Sequence, residues 1–144
     1  MRTAAIITLL LALGNMAEDV PSWCKDHPLF PPPAGFLCAD YEESEFDAEE
    51  LSIGENGADI IVEGRVTTIK YSREEEGPAD PGKIMDGYAK LIASRDGVKL
   101  WRKEENGESF GIFRIKTDRH SIWLKVSAKS DIIDLVVIEG KEAN

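Results

Sequence analysis

Apolar residues recur along this chain with two different spacings, and the switch between them marks out its elements. From Ala58 to Tyr71 the residues Ile60, Ile61, Val62, Val66, Thr67, Thr68, Ile69 and Tyr71 are β-branched or aromatic, the composition of a strand. Glu63-Gly64 interrupts this run and the alternation on either side is out of phase, which predicts a bulge in one long strand in preference to a tight hairpin. After Asp80 the period lengthens. Ile84, Tyr88, Leu91 and Ile92 fall at i, i+4, i+7 and i+8, one apolar stripe with Met85 and Ala89 beside it. Asp80-Pro81 opens this helix as N-cap and first helical residue. Asp96-Gly97 closes it, with Gly97 expected in the left-handed conformation.

Beyond the helix the pattern returns to strands: Val98 to Lys103, Phe110 to Lys116, Ser121 to Ala128 and Ile132 to Glu139. The connections are short (Glu105-Asn106-Gly107, Asp118-Arg119, Lys129-Ser130), so neighbouring strands run antiparallel as a meander. The expected fold is α+β: an antiparallel sheet of five or six strands, one main helix over about 81–95 on one face, and a C-terminal β-meander. Ile132, Ile133, Leu135, Val136, Val137 and Ile138 place apolar groups on both faces of the last strand. That strand is expected to be central, or to have its second face covered by the N-terminal segment. Earlier in the chain, residues 18–35 read as an extended, proline-rich lead-in to a single domain over 36–144. Gly35 to Ser52 mixes isolated apolar residues with acids, and reads as two short strands or as a strand with a helical turn around Asp47 to Leu51. Gly54 to Gly57 reads as a turn, and 72–79 as a polar surface loop.

The N-terminal residues have a different character. Arg2 precedes an apolar run from Ala4 to Leu13, and small residues lead to Ala17 before the acidic Glu18. This is the pattern of a secretory signal peptide over residues 1–17. The run is short of the ~20 apolar residues a membrane span needs. No lipid-attachment pattern precedes Cys24. A periplasmic, exported chain without a transmembrane segment is expected.

Charge divides unevenly. The formal net charge is −10. Residues 18–57 hold eleven acids against the single Lys25, while 58–144 are nearly balanced with sixteen acids and fifteen bases. An acidic segment of this kind disfavours nucleic acid and suits a cationic partner, or simply a solvated face. Its candidate partner surface is Asp40, Glu42, Glu43, Glu45, Asp47, Glu49 and Glu50. The two cysteines, Cys24 and Cys38, are most simply a disulfide in an oxidising compartment, where they would staple the proline-rich loop. A metal pair or a reactive thiol is the competing reading, and His27 is the one ligand type nearby.

No residue set converges on a reaction. Gly107-Glu108-Ser109-Phe110-Gly111 matches the spacing of a nucleophile elbow, but a strand pattern follows Ser109 where that chemistry needs a helix. His27 and His120 are far apart and form no ligand constellation. Adjacent acids such as Glu42-Glu43 do not flank a scissile bond. Residues 40–50 lack the spacing and glycine of a calcium loop. Trp101 and Trp123 lie in strands, where core packing outweighs a sugar-stacking role shared with Trp23. No catalytic residue, metal or cofactor is expected.

An ordered series of short strings carries a family likeness: Asp26-His27-Pro28-Leu29, Pro33-Ala34-Gly35, Ser44-Glu45-Phe46-Asp47, Val62 to Tyr71, and a helix with Tyr88-Ala89. Over about residues 26–101 the chain resembles the domain that precedes the peptidoglycan-binding module in some OmpA-like proteins of Gram-negative bacteria. The resemblance implies an envelope-associated, exported protein and brings no catalytic residues with it. The peptidoglycan-binding module itself is absent from this sequence, so its activity is not carried over. The expected function is a non-enzymatic domain that binds an envelope protein or cell-wall ligand. A small cell-envelope hydrolase and a structural, oligomer-forming protein are the alternatives.

Overall fold

The structure, a computed structural model, describes residues 22–53, 58–74 and 79–143. The signal-peptide pattern and the Gly54–Gly57 turn lie outside these residues. Six strands and one helix follow one another as β1 (Phe36–Ile53), β2 (Ala58–Arg73), α1 (Pro81–Ser94), β3 (Val98–Glu105), β4 (Glu108–Lys116), β5 (Ser121–Ala128) and β6 (Ile132–Glu142). All neighbours pair antiparallel in a single sheet ordered β1-β2-β6-β5-β4-β3, the α+β architecture expected. The helix carries the chain from β2 to the far edge. Three short turns then walk β3 to β6 back, and β6 closes against β2.

Local chemistry fixes the joints. Asp80 caps α1, its carboxylate accepting from the Gly82 and Lys83 amides at 2.9 and 3.4 Å, and Pro81 follows. At the other end it is Asp96, not Gly97, that takes the left-handed conformation, with φ 60°. Gly97 is required for a different reason. A Cβ there would lie 2.6 Å from Ile92 Cγ2 and 2.9 Å from the Arg114 carbonyl, where the helix end meets β4. The β3–β4 turn is Asn106-Gly107, both with positive φ, as a tight antiparallel hairpin demands.

Two expectations about the first hairpin are corrected. Gly35 to Ser52 is neither two strands nor a strand and a helical turn, but most of one 18-residue strand. The irregularity near Gly64 is not a bulge in β2 either. The extra residue lies across from it in β1, between Ser44 and Asp47, and a second shift in β1 falls between Cys38 and Asp40, opposite Tyr71 and Lys70. Each shifts the side-chain alternation by one, which is why odd-numbered Tyr41 shares a face with even-numbered Phe36 and Cys38; after both shifts the original phase returns and Leu51 faces the other side. Gly64 answers to its other neighbour, β6, where Gly64 and Gly140 are paired. A Cβ on Gly140 would come within 2.9 Å of Gly64 Cα, so the two backbones pass unusually close.

The sheet has an apolar core on each face. Ile69 and Tyr71 of β2, Phe113 of β4, Leu124 of β5 and Leu135 and Val137 of β6 form the first. The amphipathic helix covers one part of it through Met85, Tyr88 and Ile92. The lead-in covers another through Cys24 and Phe30, beside Phe36 at the start of β1. Lead-in and sheet are joined by the Cys24–Cys38 disulfide. The second core holds Leu51, Val62, Val66, Ile112, Trp123 and Ile138. Here the far half of the β1–β2 hairpin leans over the sheet: Glu49 reaches Lys125 of β5 at 3.5 Å, and Leu51 is fully buried. The last strand is thus central, third of six, and the N-terminal segment covers the face opposite to the one expected. Its Val136 and Ile138 side is closed by the hairpin instead.

Candidate functional site

The lead-in does more than bury Phe30. Residues 25–29 cross the first face of the sheet beyond the reach of the helix, and a cleft of about 430 Å³ opens between them and strands β1, β2 and β6. The disulfide at one end and the buried Phe30 at the other hold this strap in place. A tight turn between them, in which the Phe30 amide donates to the His27 carbonyl at 3.2 Å, sets the direction of the imidazole.

His27 is 7% exposed. Its Nδ1 accepts from the Leu29 amide at 3.1 Å, so in the neutral ring the proton resides on Nε2, which faces Glu139 Oε2 at 3.5 Å. Strand alternation brings the rest of the lining together: Tyr41 and Glu43 from β1, Arg65 and Thr67 from β2, and Glu139 from β6 all point to the strap side. Arg65 and Glu139 are directly paired across β2 and β6. Arg65 also forms a short ion pair with Glu43. Lys25 lies 5.8 Å from the centre of the Tyr41 ring. Burial, then the neighbouring Glu43, pushes the Tyr41 phenol above its ordinary range. Beneath the strap Tyr71 donates to Asp26 at 3.2 Å, and burial followed by the Asp26 charge raises its phenol far above the usual value. Both tyrosines are therefore neutral donors.

Chemically the cleft offers three carboxylates, Asp26, Glu43 and Glu139, against Lys25 and the already paired Arg65. It is suited to holding a cation or an amine that can replace Lys25 over the tyrosine. Among the described residues no group of three or more histidine, cysteine or acidic side chains is arranged to hold a metal ion.

The seven acids read from the sequence do not converge here. They lie along β1, an edge strand, and the two bulges distribute them to different sides. Glu43 enters the cleft, while Glu49 turns to Lys125 on the other face. Asp40 and Asp47 accept from the amides of Tyr41 and Ala48 at 2.9 and 2.8 Å, each beside a bulge where the ladder leaves backbone groups to be satisfied. Glu42, Glu45 and Glu50 are exposed. His27 and Glu139, by contrast, were not singled out as a pair by any spacing. They are 112 residues apart, and only the sheet order joins them.

Ser109 is fully buried in β4 and donates to Glu104 on the neighbouring strand, in a short hydrogen bond. That contact, with help from Arg102, lowers the Glu104 pKa. A strand surrounds Ser109 on both sides, and His120 lies past the opposite end of β4. Trp123 is buried in the second core, Trp101 packs against it, and Trp23 is 53% exposed, so the three indoles make no common platform. Among the described residues no helix is long and apolar enough to cross a membrane. In comparison with known proteins, the chain matches no family model, no curated protein and no solved structure.

Proposed function

We propose that this protein is an exported, non-enzymatic binding domain of the cell envelope, and that the cleft under the disulfide-linked strap takes a cationic group of an envelope protein or cell-wall ligand. The observation that carries this reading is the cleft itself: His27, Tyr41, Glu43 and Glu139, from three separate segments, line one preorganised hollow. Preorganisation lowers the ordering cost of binding. The excess of carboxylates sets the sign of the group it would accept. Export to the periplasm rests on the signal-peptide pattern of residues 1–17, and the disulfide is in keeping with an oxidising compartment. The resemblance to the accessory domain of OmpA-like proteins points the same way.

Titration of the purified protein with a short lysine-containing peptide tests the reading. Saturable binding is expected, weakening as salt rises. The double replacement Glu43→Gln, Glu139→Gln should reduce affinity about tenfold, ~1.4 kcal/mol. An unchanged melting temperature in that variant would assign the loss to the cleft. Failure of the wild-type protein to bind, or equal binding by the variant, would overturn it.

A further inference from the structure

On the opposite face of the sheet, near the β4–β5 turn, lies a second hollow of about 330 Å³ with the reverse chemistry. Arg114 and Lys116 project into it from β4, Arg119 from the turn and Lys141 from the end of β6. Asp118 and Glu142 are the only carboxylates in its lining, and none of the four cations makes an ion pair among the described residues. In a protein of net charge −10 this is an unusual reserve of unneutralised positive charge.

The second observation is independent of charge. Three buried side-chain polar atoms lack a hydrogen-bond partner among the described residues, and two of them belong to residues lining this hollow: Trp123 Nε1 and Arg114 Nε. Both groups can only donate. Trp123 is 2% exposed and sits directly opposite Arg114 in the β4–β5 ladder, with the guanidinium 5.5 Å from the indole centre. Two donors buried together without an acceptor are costly unless something supplies oxygen.

The turn beside the hollow is bonded to itself. Thr117 Oγ1 donates to the His120 carbonyl at 2.8 Å and accepts from the His120 amide at 3.2 Å, closing the loop on itself. Ser121 adds a hydroxyl to the lining. Cations from three segments, converging with two orphan donors, suit a tetrahedral oxyanion that accepts several hydrogen bonds at once. The hollow is wider than one oxyanion needs, so there is room for the group to which it is esterified.

We propose that this hollow is a phosphate-binding site that takes the phosphate group of a phosphoester. The phosphate replaces the missing acceptors of Arg114 and Trp123 and is held at its outer side by Lys116 and Lys141. A soluble phosphomonoester and the headgroup of an anionic phospholipid present the same chemistry. Nothing in this site depends on the cleft beneath the strap.

The test follows the indole N–H of Trp123 by NMR, identified through Trp123→Phe, as the full protein is titrated with inorganic phosphate against sodium chloride of matched ionic strength. A saturable shift of that resonance is expected with phosphate alone. Lys116→Gln with Lys141→Gln, both at exposed positions, should weaken phosphate binding at least tenfold with the melting temperature unchanged. Sedimentation with phosphatidic acid vesicles, against phosphatidylcholine vesicles, separates the sources. Binding to the acidic vesicles that is lost in the double variant identifies a lipid headgroup. Binding of glycerol phosphate without vesicle binding identifies a soluble ester. Absence of a phosphate-specific shift, or a shift that the double variant leaves unaltered, overturns the proposal.

Discussion

Gly140 and Gly64 occupy the point where β2 and β6 come closest, and no other residue type fits there. An alanine at 140 would set a methyl group 2.7 Å from the Glu63 carbonyl carbon, a backbone atom that cannot swing aside. Gly140→Ala is expected to destabilise the protein by about 1–3 kcal/mol, the range for forced overpacking, read as a lower urea midpoint. Because Glu139 precedes this residue, the same variant should also displace a wall of the strap cleft. The sequence hinted at this place through the broken alternation at Glu63-Gly64, but assigned the break to the wrong strand. Period-2 patterning reports that phase changes, not which partner causes the change. His27 shows the same limit more sharply. A lone imidazole has no periodicity, and its carboxylate partner is reached only after the whole sheet is assembled.

Among the elements, the helix and the four-strand meander were legible because their boundaries are written in local chemistry. Asp80-Pro81 and Asn106-Gly107 specify caps and turns with no reference to the rest of the fold. The first strand was not legible: its acids carry little strand propensity, and the pairing with β2 over nearly its full length overrides this. The lead-in is a further case, a segment without regular structure whose Phe30 is nonetheless fully buried. Its hold on the sheet depends on Cys24–Cys38, which closes a loop with a sequence separation of 14. Reduction should remove ~3 kcal/mol of stability by restoring freedom to the unfolded chain, a fall in melting temperature on the order of 10 °C. Scanning calorimetry with and without reductant checks this, and the unreduced protein should show no free thiol. A melting temperature indifferent to reductant would mean that burial of Phe30 and Phe36 alone fixes the strap.

For the molecule as a whole, the placing of charge follows from the sheet having two open edges. β1 is long and exposed on one side, the kind of strand that recruits a second chain. Its acids and two bulges, together with a bulge in β3 at the other edge, interrupt any such pairing. Replacing exposed Glu42, Glu45 and Glu50 by Val is therefore expected to produce dimers or larger species on size exclusion at high concentration, with the wild type unaffected by comparison. An unchanged elution volume would show that the bulges suffice without the charge. The same strand order governs assembly in time. The strands β1 and β2 come first, yet their inner neighbour is β6, about 70 positions later along the chain, by the pairing of Val66 with Ile138. Before Ile132–Glu142 docks, the hairpin and the helix–meander unit are two fragments, each with a bare inner edge, and neither the cleft at Glu139 nor the hollow at Lys141 exists. Such non-local closure makes for slow folding. A chain in which Ile132–Glu142 has not yet docked thus stays loose, and the cleft and the hollow take shape together in a single late step.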